Sequence, residues 1–474
     1  MSSPLRQLLD LLTQSVSALE QSCAARGTKI PDLNAPFHPA SEAFRADPAA
    51  AEAANIISAA SLQLAAIMTP PPISMYSVIG GPFNAAALRV CLESHVTEIL
   101  REGGPRGLTP EQIAAINGQD PKKLGRYLRT LATHHIYREV EPNVFTNNRL
   151  SSTLDTLKPV KDILSDPSKK NENTHGFAAL AGHHLDETFK AASYSWEASL
   201  GISEADWTDT SKTPFNTAYK TSETFWKYLE RPEEAFRQRR FGLGMQGVQA
   251  LQPPEAIHTA FDWKSLDKKS VVVDVGGGVG TSVLNLVNRY SHINFVVQDL
   301  PGVIEDAKKV WAEKNPEAIK DGRVKLEAHD FFASQTHQPA VFFMKQILHD
   351  WPDHACAKIL TQLRNAAGPD TKLVLMDSII PFACHDPHAN DETYFPGAIP
   401  KEAPAPLLAN FGAVNALAYH ADMVMGLLFN SQERTITHQI QLLRSTGWQV
   451  TTVNRQEGDG TFLQGVVAIP IGIN

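Results

Sequence analysis

Only four cysteines occur in the 474 residues, Cys23, Cys91, Cys356 and Cys384, far apart and with no CxxC pair. That scarcity argues against a disulfide framework or a thiolate zinc site, and the four read as buried or inert thiols. No apolar run reaches the length of about 18 residues that a bilayer demands, so a membrane-spanning role is set aside. The opening MSSPLRQLLDLL lacks a basic n-region, and Asp10 interrupts its apolar stretch, so it reads as part of a cytoplasmic protein rather than a signal peptide. Positive charge is also in deficit. With 43 Lys and Arg against 51 Asp and Glu, the net charge of −8 disfavours a general polyanion binder, and a small molecule is the expected partner rather than nucleic acid. No internal repeat or strong low-complexity tract is visible. What remains is an ordinary globular composition, 43% hydrophobic and 20% charged, over a length that implies two or three domains.

The first segment places Leu5, Leu8, Leu9, Leu12, Val16 and Leu19 at helical spacing, with Ser3 and Pro4 suited to the start and Gly27 to the end. Residues 31–48 read as a linker, followed by an Ala-rich helix from Ala49 to Met68 that Pro70, Pro71 and Pro72 stop. Residues 1–80 thus form a helical extension. From about Leu88 to Leu154 the order is helix, helix, helix, then a small ribbon over Val140–Thr146, which is winged-helix order. Lys122, Lys123, Arg126 and Arg129 make its last helix basic, as a DNA reader's would be, but the acidic chain favours a solvated or partner-facing helix. The expected divisions are 81–155 for this winged-helix-like unit and 156–265 for a helical, aromatic-rich stretch. The latter carries Phe177, Tyr194, Trp196, Trp207, Phe215, Phe225, Trp226, Phe236 and Phe241, a composition that suits the apolar wall of a substrate pocket, with ordinary core packing expected to account for most of these rings. A third unit spans 266–474. Its strands VVVDVG, NFVVQD, RVKLEAHD, AVFFMKQI, KLVLMDSI, WQVTTV and LQGVVAI alternate with helical stretches, so the fold class is α/β with a doubly wound, mostly parallel seven-stranded sheet. The last two strands are too close for a crossover helix and should make an antiparallel hairpin at the sheet edge. A Pro-rich excursion over residues 381–410 interrupts the pattern.

The candidate site residues fall at the ends of consecutive strands. Asp274 is followed by the turn Gly276, Gly277, Gly278, Val279, Gly280, Thr281, where missing side chains let a ligand approach the backbone. The dinucleotide fingerprint would want glycine at Thr281, and the P-loop would want GK[ST]; neither is present. Asp299 ends the second strand, where a carboxylate can accept both hydroxyls of a ribose, and Asp330-Phe331 ends the third, where an adenine would lie. Each acid alone is more simply a cap or turn residue, but three such features in register are not. A metal site at Cys384, His385, Asp386 and His388 lacks paired ligand spacing, and His134-His135 and His183-His184 read as surface or interface residues.

The fourth strand delivers MKQILHDWPD, and here the pattern becomes specific. VDVGGGVG, QDLPGVIEDA, HDFF and ILHDWPD resemble, in order and spacing, the DVGGGxG, FDLPxVI, GDxF and LHDW blocks of the plant caffeic-acid-type and fungal secondary-metabolite O-methyltransferases. LVLMDSIIP and the stretch from Gly426 to Trp448 extend the likeness, which covers roughly residues 88 to 470. The resemblance implies S-adenosylmethionine as cofactor, held by Gly276, Gly278, Gly280, Asp299, Leu300, Asp330, Phe331 and Lys345, with no metal. It also implies an N-terminal dimerisation domain, a small hydroxylated aromatic acceptor, and His349 as general base flanked by Glu433 and Asp377. The family usually has glutamate where Asp377 stands, so the contact of this shorter side chain to the imidazole should be lost or made through water. Methyl transfer needs a nucleophile that loses its proton near the moment of attack. Between a phenol of pKa about 10 and a histidine of about 6.5, complete transfer is uphill by roughly 5 kcal/mol, so deprotonation should accompany attack. The alternative is a relative of the same fold that binds the cofactor without consuming it and promotes a dehydration or pericyclic rearrangement; retention of His349 favours methylation.

Overall fold

The computed structural model describes residues 3–252, 255–387, 395–455 and 463–472. It divides into two compact units, Met1–Gln252 and Pro253–Asn474.

In the first unit, α1 (Pro4–Arg26) begins as its sequence dictates: the Ser3 hydroxyl accepts the Arg6 N–H, and Gly27, at φ 65°, closes the helix in the left-handed region. The supposed linker is partly ordered, with a 3-10 turn at Pro39–Ala46 whose Phe44 is buried. α2 (Pro48–Met68) sets its alanines Ala50, Ala53 and Ala54 against Leu19 and Cys23 of α1. Among the described residues α2 is also the one helix long and apolar enough, by length and composition, to cross a membrane. The three prolines do stop it, yet they also open α3 (Pro71–Ile79), since proline in a helix's first turn loses no hydrogen bond. There follow α4 (Gly81–Glu93), α5 (Val96–Gly103), α6 (Pro110–Asn117), α7 (Pro121–Thr133) and an antiparallel ribbon of β1 (Arg138–Glu141) and β2 (Val144–Thr146). α6 is opened by a reciprocal Thr109/Gln112 cap and α7 by Asp120. Farther on, Phe215, Phe225, Tyr228 and Phe241 pack ring against ring, while Trp196 and Trp207 are exposed. Of the nine rings named from sequence, Phe215 and Phe225 are buried while Tyr194, Trp196, Trp207 and Phe236 are exposed, so full burial accounts for only part of the aromatic excess.

The second unit is a seven-stranded sheet of order β5-β4-β3-β6-β7-β9-β8. Its strands are β3 (Val271–Val275), β4 (Asn294–Asp299), β5 (Val324–Ala328), β6 (Val341–Lys345), β7 (Lys372–Asp377), β8 (Trp448–Asn454) and β9 (Gln464–Pro470). The first five run parallel, and β9 lies antiparallel to both β7 and β8, so the hairpin expected at the edge is there. Parallel strands are covered on both faces and so read as unbroken apolar runs: Val272, Val273, Phe342, Phe343, Leu373, Val374 and Leu375 are all fully buried. The strand order reverses between β3 and β6, and in an open α/β sheet that switch at the carboxyl ends is where ligands bind.

Candidate active site

β3 leads into the helix Thr281–Arg289 through a turn in which Gly276, Gly278 and Gly280 all have positive φ, at 70°, 59° and 82°. At Gly280 a Cβ would lie 2.6 Å from Trp311 Nε1, and that indole is pinned by donating to the Val279 carbonyl at 3.0 Å. At Gly278 a Cβ would meet nothing within 4 Å. One glycine therefore lets the chain close on itself, and the other leaves a bare backbone face. Asp299 holds the turn: its Oδ2 accepts the Gly278 N–H at 2.8 Å and its Oδ1 the Leu300 N–H at 2.7 Å. Burial raises its pKa, against the lowering effect of those two donors. Each oxygen keeps a second lone pair.

Beneath the turn, the buried Asp274 has an Oδ2 with no hydrogen-bond partner. Burial pushes its carboxyl up to about 7, while the Lys345 ammonium at the end of neighbouring β6 pulls it down. Lys345 is itself lowered by burial and sustained by Asp274 and Asp377. Leu300 is exposed. Asp330 and Phe331 lie just beyond β5, which ends at Ala328. The Asp330 carboxylate is exposed and accepts the Phe332 N–H at 2.9 Å, the ordinary role of a turn residue. Phe331 is placed differently: its Cε1 lies 3.5 Å from where a Gly276 Cβ would stand, and its ring meets Trp351 edge to face.

After Lys345 the chain turns sharply at Gln346, whose φ of 54° is unusual for a residue with a side chain, and enters the 3-10 turn Leu348–Asp350. That turn presents His349, whose side chain is 11% exposed. Its Nδ1 is 2.7 Å from Glu433 Oε1, and the carboxylate makes Nδ1 the donor. The carboxylate nearest Nε2 is Asp350 Oδ1, at 3.6 Å. Burial lowers the imidazole's pKa, but Glu433 and Asp350 outweigh it and the ring is raised to about 10. Asp377, by contrast, has no hydrogen bond to the ring among the described residues. Its Oδ1 is buried without a partner, and burial raises its carboxyl to about 6 while His349 pulls it down. Of the two expected flanking acids, one touches the imidazole and the other acts only through space. Asp350, inside the ILHDWPD block, had no role assigned from sequence, and the letter after His349 was the only signal that could have found it.

The remaining candidates stay apart. His385 pairs with Glu402, His388 lies outside the described residues, and no group of three metal-ligating side chains occurs among the described residues. His183 pairs with the buried Glu187.

The O-methyltransferase domain family is matched over residues 203–396. A 4-O-methyltransferase of Phanerochaete chrysosporium is 50% identical over 472 residues, covering 99% of this chain and 100% of its own. The chain belongs to the S-adenosylmethionine-dependent O-methyltransferases. Among solved structures, the mitomycin 7-O-methyltransferase superposes on this methyltransferase with a TM-score of 0.61 at 22% identity, covering 84% of this chain and 98% of that one. A pericyclic reaction enzyme does so with a TM-score of 0.66 at 17% identity, over 88% and 94%. At such identities these two likenesses speak for the methyltransferase's fold alone. The choice of reaction rests on side chains.

Proposed function

We propose that the protein transfers a methyl group from S-adenosylmethionine to a hydroxyl of a small aromatic secondary metabolite, with His349 as general base. The observation that carries this reading is the His349–Glu433 pair at 2.7 Å, with His349 in the turn that follows β6, the strand beside β3 and its glycine turn. The residues present suit such a cofactor: a turn with an open face at Gly278, Asp299 with spare lone pairs for two hydroxyls, the Phe331 ring against Gly276, and the orphan Asp274 carboxyl beside Lys345. When bound, the cofactor supplies a methyl group on a sulfonium centre. Asp299, Leu300 and the turn would hold its ribose end, Phe331 its adenine and Lys345 its polar tail; Asp330 accepts the Phe332 N–H through Oδ1 and keeps its other oxygen for the adenine. His349 Nε2 takes the acceptor's proton as the new bond forms. Glu433 fixes the tautomer and stabilises the positive charge that then develops on the ring. Asp377 steadies that charge electrostatically.

The cofactor assignment is checked by calorimetry on Asp299→Ala. That change removes the acceptor for two backbone N–H groups as well as for the ribose, so affinity for S-adenosylmethionine should fall by about tenfold or more. Undiminished affinity would take Asp299 out of the site.

The domain roles follow the same reading: residues 81–155 as a winged-helix-like dimerisation unit, 156–265 as the acceptor-pocket region and 266–474 as the catalytic domain. α3 has no buried residue although it carries Ile73, Met75, Tyr76, Val78 and Ile79, and Tyr76 and Val78 are 69% and 71% exposed. An apolar helix left wet wants a partner, and a second copy of the chain is the one we assign. Light scattering at micromolar concentration should give a dimer, and Tyr76→Glu with Val78→Glu a monomer; a monomeric parent protein would sink this assignment. Four free cysteines, three of them buried, fit a cytoplasmic setting.

A further inference from the structure

The carbonyls around His349 are held by side chains from a single short segment. Ser431 donates its hydroxyl to the His349 carbonyl. Arg434, only 4% exposed, spreads its guanidinium across the same loop: Nη1 donates to the Leu348 carbonyl and Nη2 to the Trp351 carbonyl, both at 2.9 Å. Its Nε and Nη2 also reach Asp353 Oδ1 at 3.0 and 2.8 Å, and the other oxygen of Asp353 meets His438 Nε2 at 2.7 Å. Between Ser431 and Arg434 in sequence sits Glu433, whose own backbone N–H donates to Asp422 Oδ1 at 2.8 Å. Arg434's carbonyl in turn accepts the Ile380 N–H at 3.0 Å, tying the segment to the chain just past β7.

The base and its orienting acid are 84 positions apart in sequence, and nothing in local structure fixes their spacing. Arg434 does so. A planar fork reaches one carbonyl before His349, one after it and a carboxylate at the same time, while its backbone neighbour carries Glu433. We propose that Arg434 is a positioning residue for methyl transfer, clamping the loop that presents His349 to the segment that presents Glu433. The inference rests on His349 and Glu433 having the roles assigned above. Lysine retains the charge but is a point donor, and it cannot span both carbonyls and Asp353.

A double-mutant cycle tests it, using the full-length protein, S-adenosylmethionine and an accepted phenol, with wild type, Arg434→Lys, Glu433→Gln and the double variant. Arg434→Lys should lower kcat by about tenfold or more, since small misplacements of a reacting group are costly. KM for S-adenosylmethionine should stay within about twofold, because the clamp touches no proposed cofactor residue. The acid limb of the pH–rate curve should move to lower pH as the carboxylate loosens from the ring. In the Glu433→Gln background the further loss should shrink to less than about threefold, because the geometry being held no longer matters. An unchanged kcat, or losses that multiply in full, would overturn the proposal, since a merely structural residue lowers both backgrounds alike. Should Arg434→Lys not unfold cooperatively, Ser431→Ala, which deletes one hydroxyl from the same cradle, goes through the same cycle under the same criterion. His349→Ala separates the two levels. If it stays active, the base assignment and this proposal fall together; if it is inactive while the cycle is additive, only the clamp falls.

Discussion

His349→Ala should lower turnover by about 10²- to 10⁴-fold, the usual worth of a general base, while affinity for S-adenosylmethionine stays within about twofold. The imidazole faces Glu433 and Asp350 rather than the glycine turn, so its loss falls on the proton transfer. Single-turnover kinetics with labelled cofactor, beside calorimetry on the same variant, check both halves. A variant that keeps more than about a tenth of the activity contradicts the role. Acceptors carrying an electron-withdrawing group, already ionised at the assay pH, should partly rescue the variant because they need no base. If instead the cofactor is bound but never consumed while a substrate rearranges without change of mass, the reaction is of the kind the pericyclic neighbour's fold also accommodates.

Glu433→Gln should be nearly as damaging, with turnover down by about 10²-fold, and it carries a distinguishing pH signature. Only neutral imidazole accepts a proton, so wild-type turnover rises with pH toward the raised value of about 10. A sulfonium bound nearby draws that midpoint down by charge repulsion. Removing the Glu433 carboxylate removes the largest attraction holding the proton on the ring, while burial, which lowers the pKa, remains. The acid limb must therefore shift to lower pH in the variant even as the plateau drops. A pH–rate series on both proteins measures this. A midpoint that stays put, or moves up, would show that Glu433 does not govern His349. The effect on rate and the effect on midpoint have opposite consequences at acid pH, so the two profiles converge there.

The distribution of what could be read in advance follows the range of each interaction. Helix caps are local, and Ser3, Thr109 and Asp120 start their helices as their sequence neighbourhoods imply. The parallel sheet was legible because strands buried on both faces read as apolar runs, and residues 271–273 and 341–344 do, interrupted only by the site residues Asp274 and Lys345 near the strand ends. Asp299 and Lys345 then end their strands, and His349 sits in the turn after β6, all at the carboxyl ends of the parallel strands. The prolines at 70–72 end one helix as their chemistry requires and also open another, because a residue that cannot continue one helix is well suited to begin the next. Side-chain partners were another matter. Whether Asp330 points to a ligand or to its own loop depends on one rotation, and it accepts the Phe332 N–H. Whether Asp377 reaches the imidazole depends on about one methylene of length and on β7's register against β6, and no sequence pattern encodes that. The residue types for proton transfer and the order of the strands that carry them are written in the chain itself. The 2.7 Å contact of Glu433 with His349, the burial that leaves Asp274 Oδ2 and Asp377 Oδ1 without a hydrogen-bond partner, and the clamp by Arg434 exist only once residues far apart in the chain are packed together, because hydrogen bonds and desolvation act over a few ångströms of space and take no account of distance along the sequence.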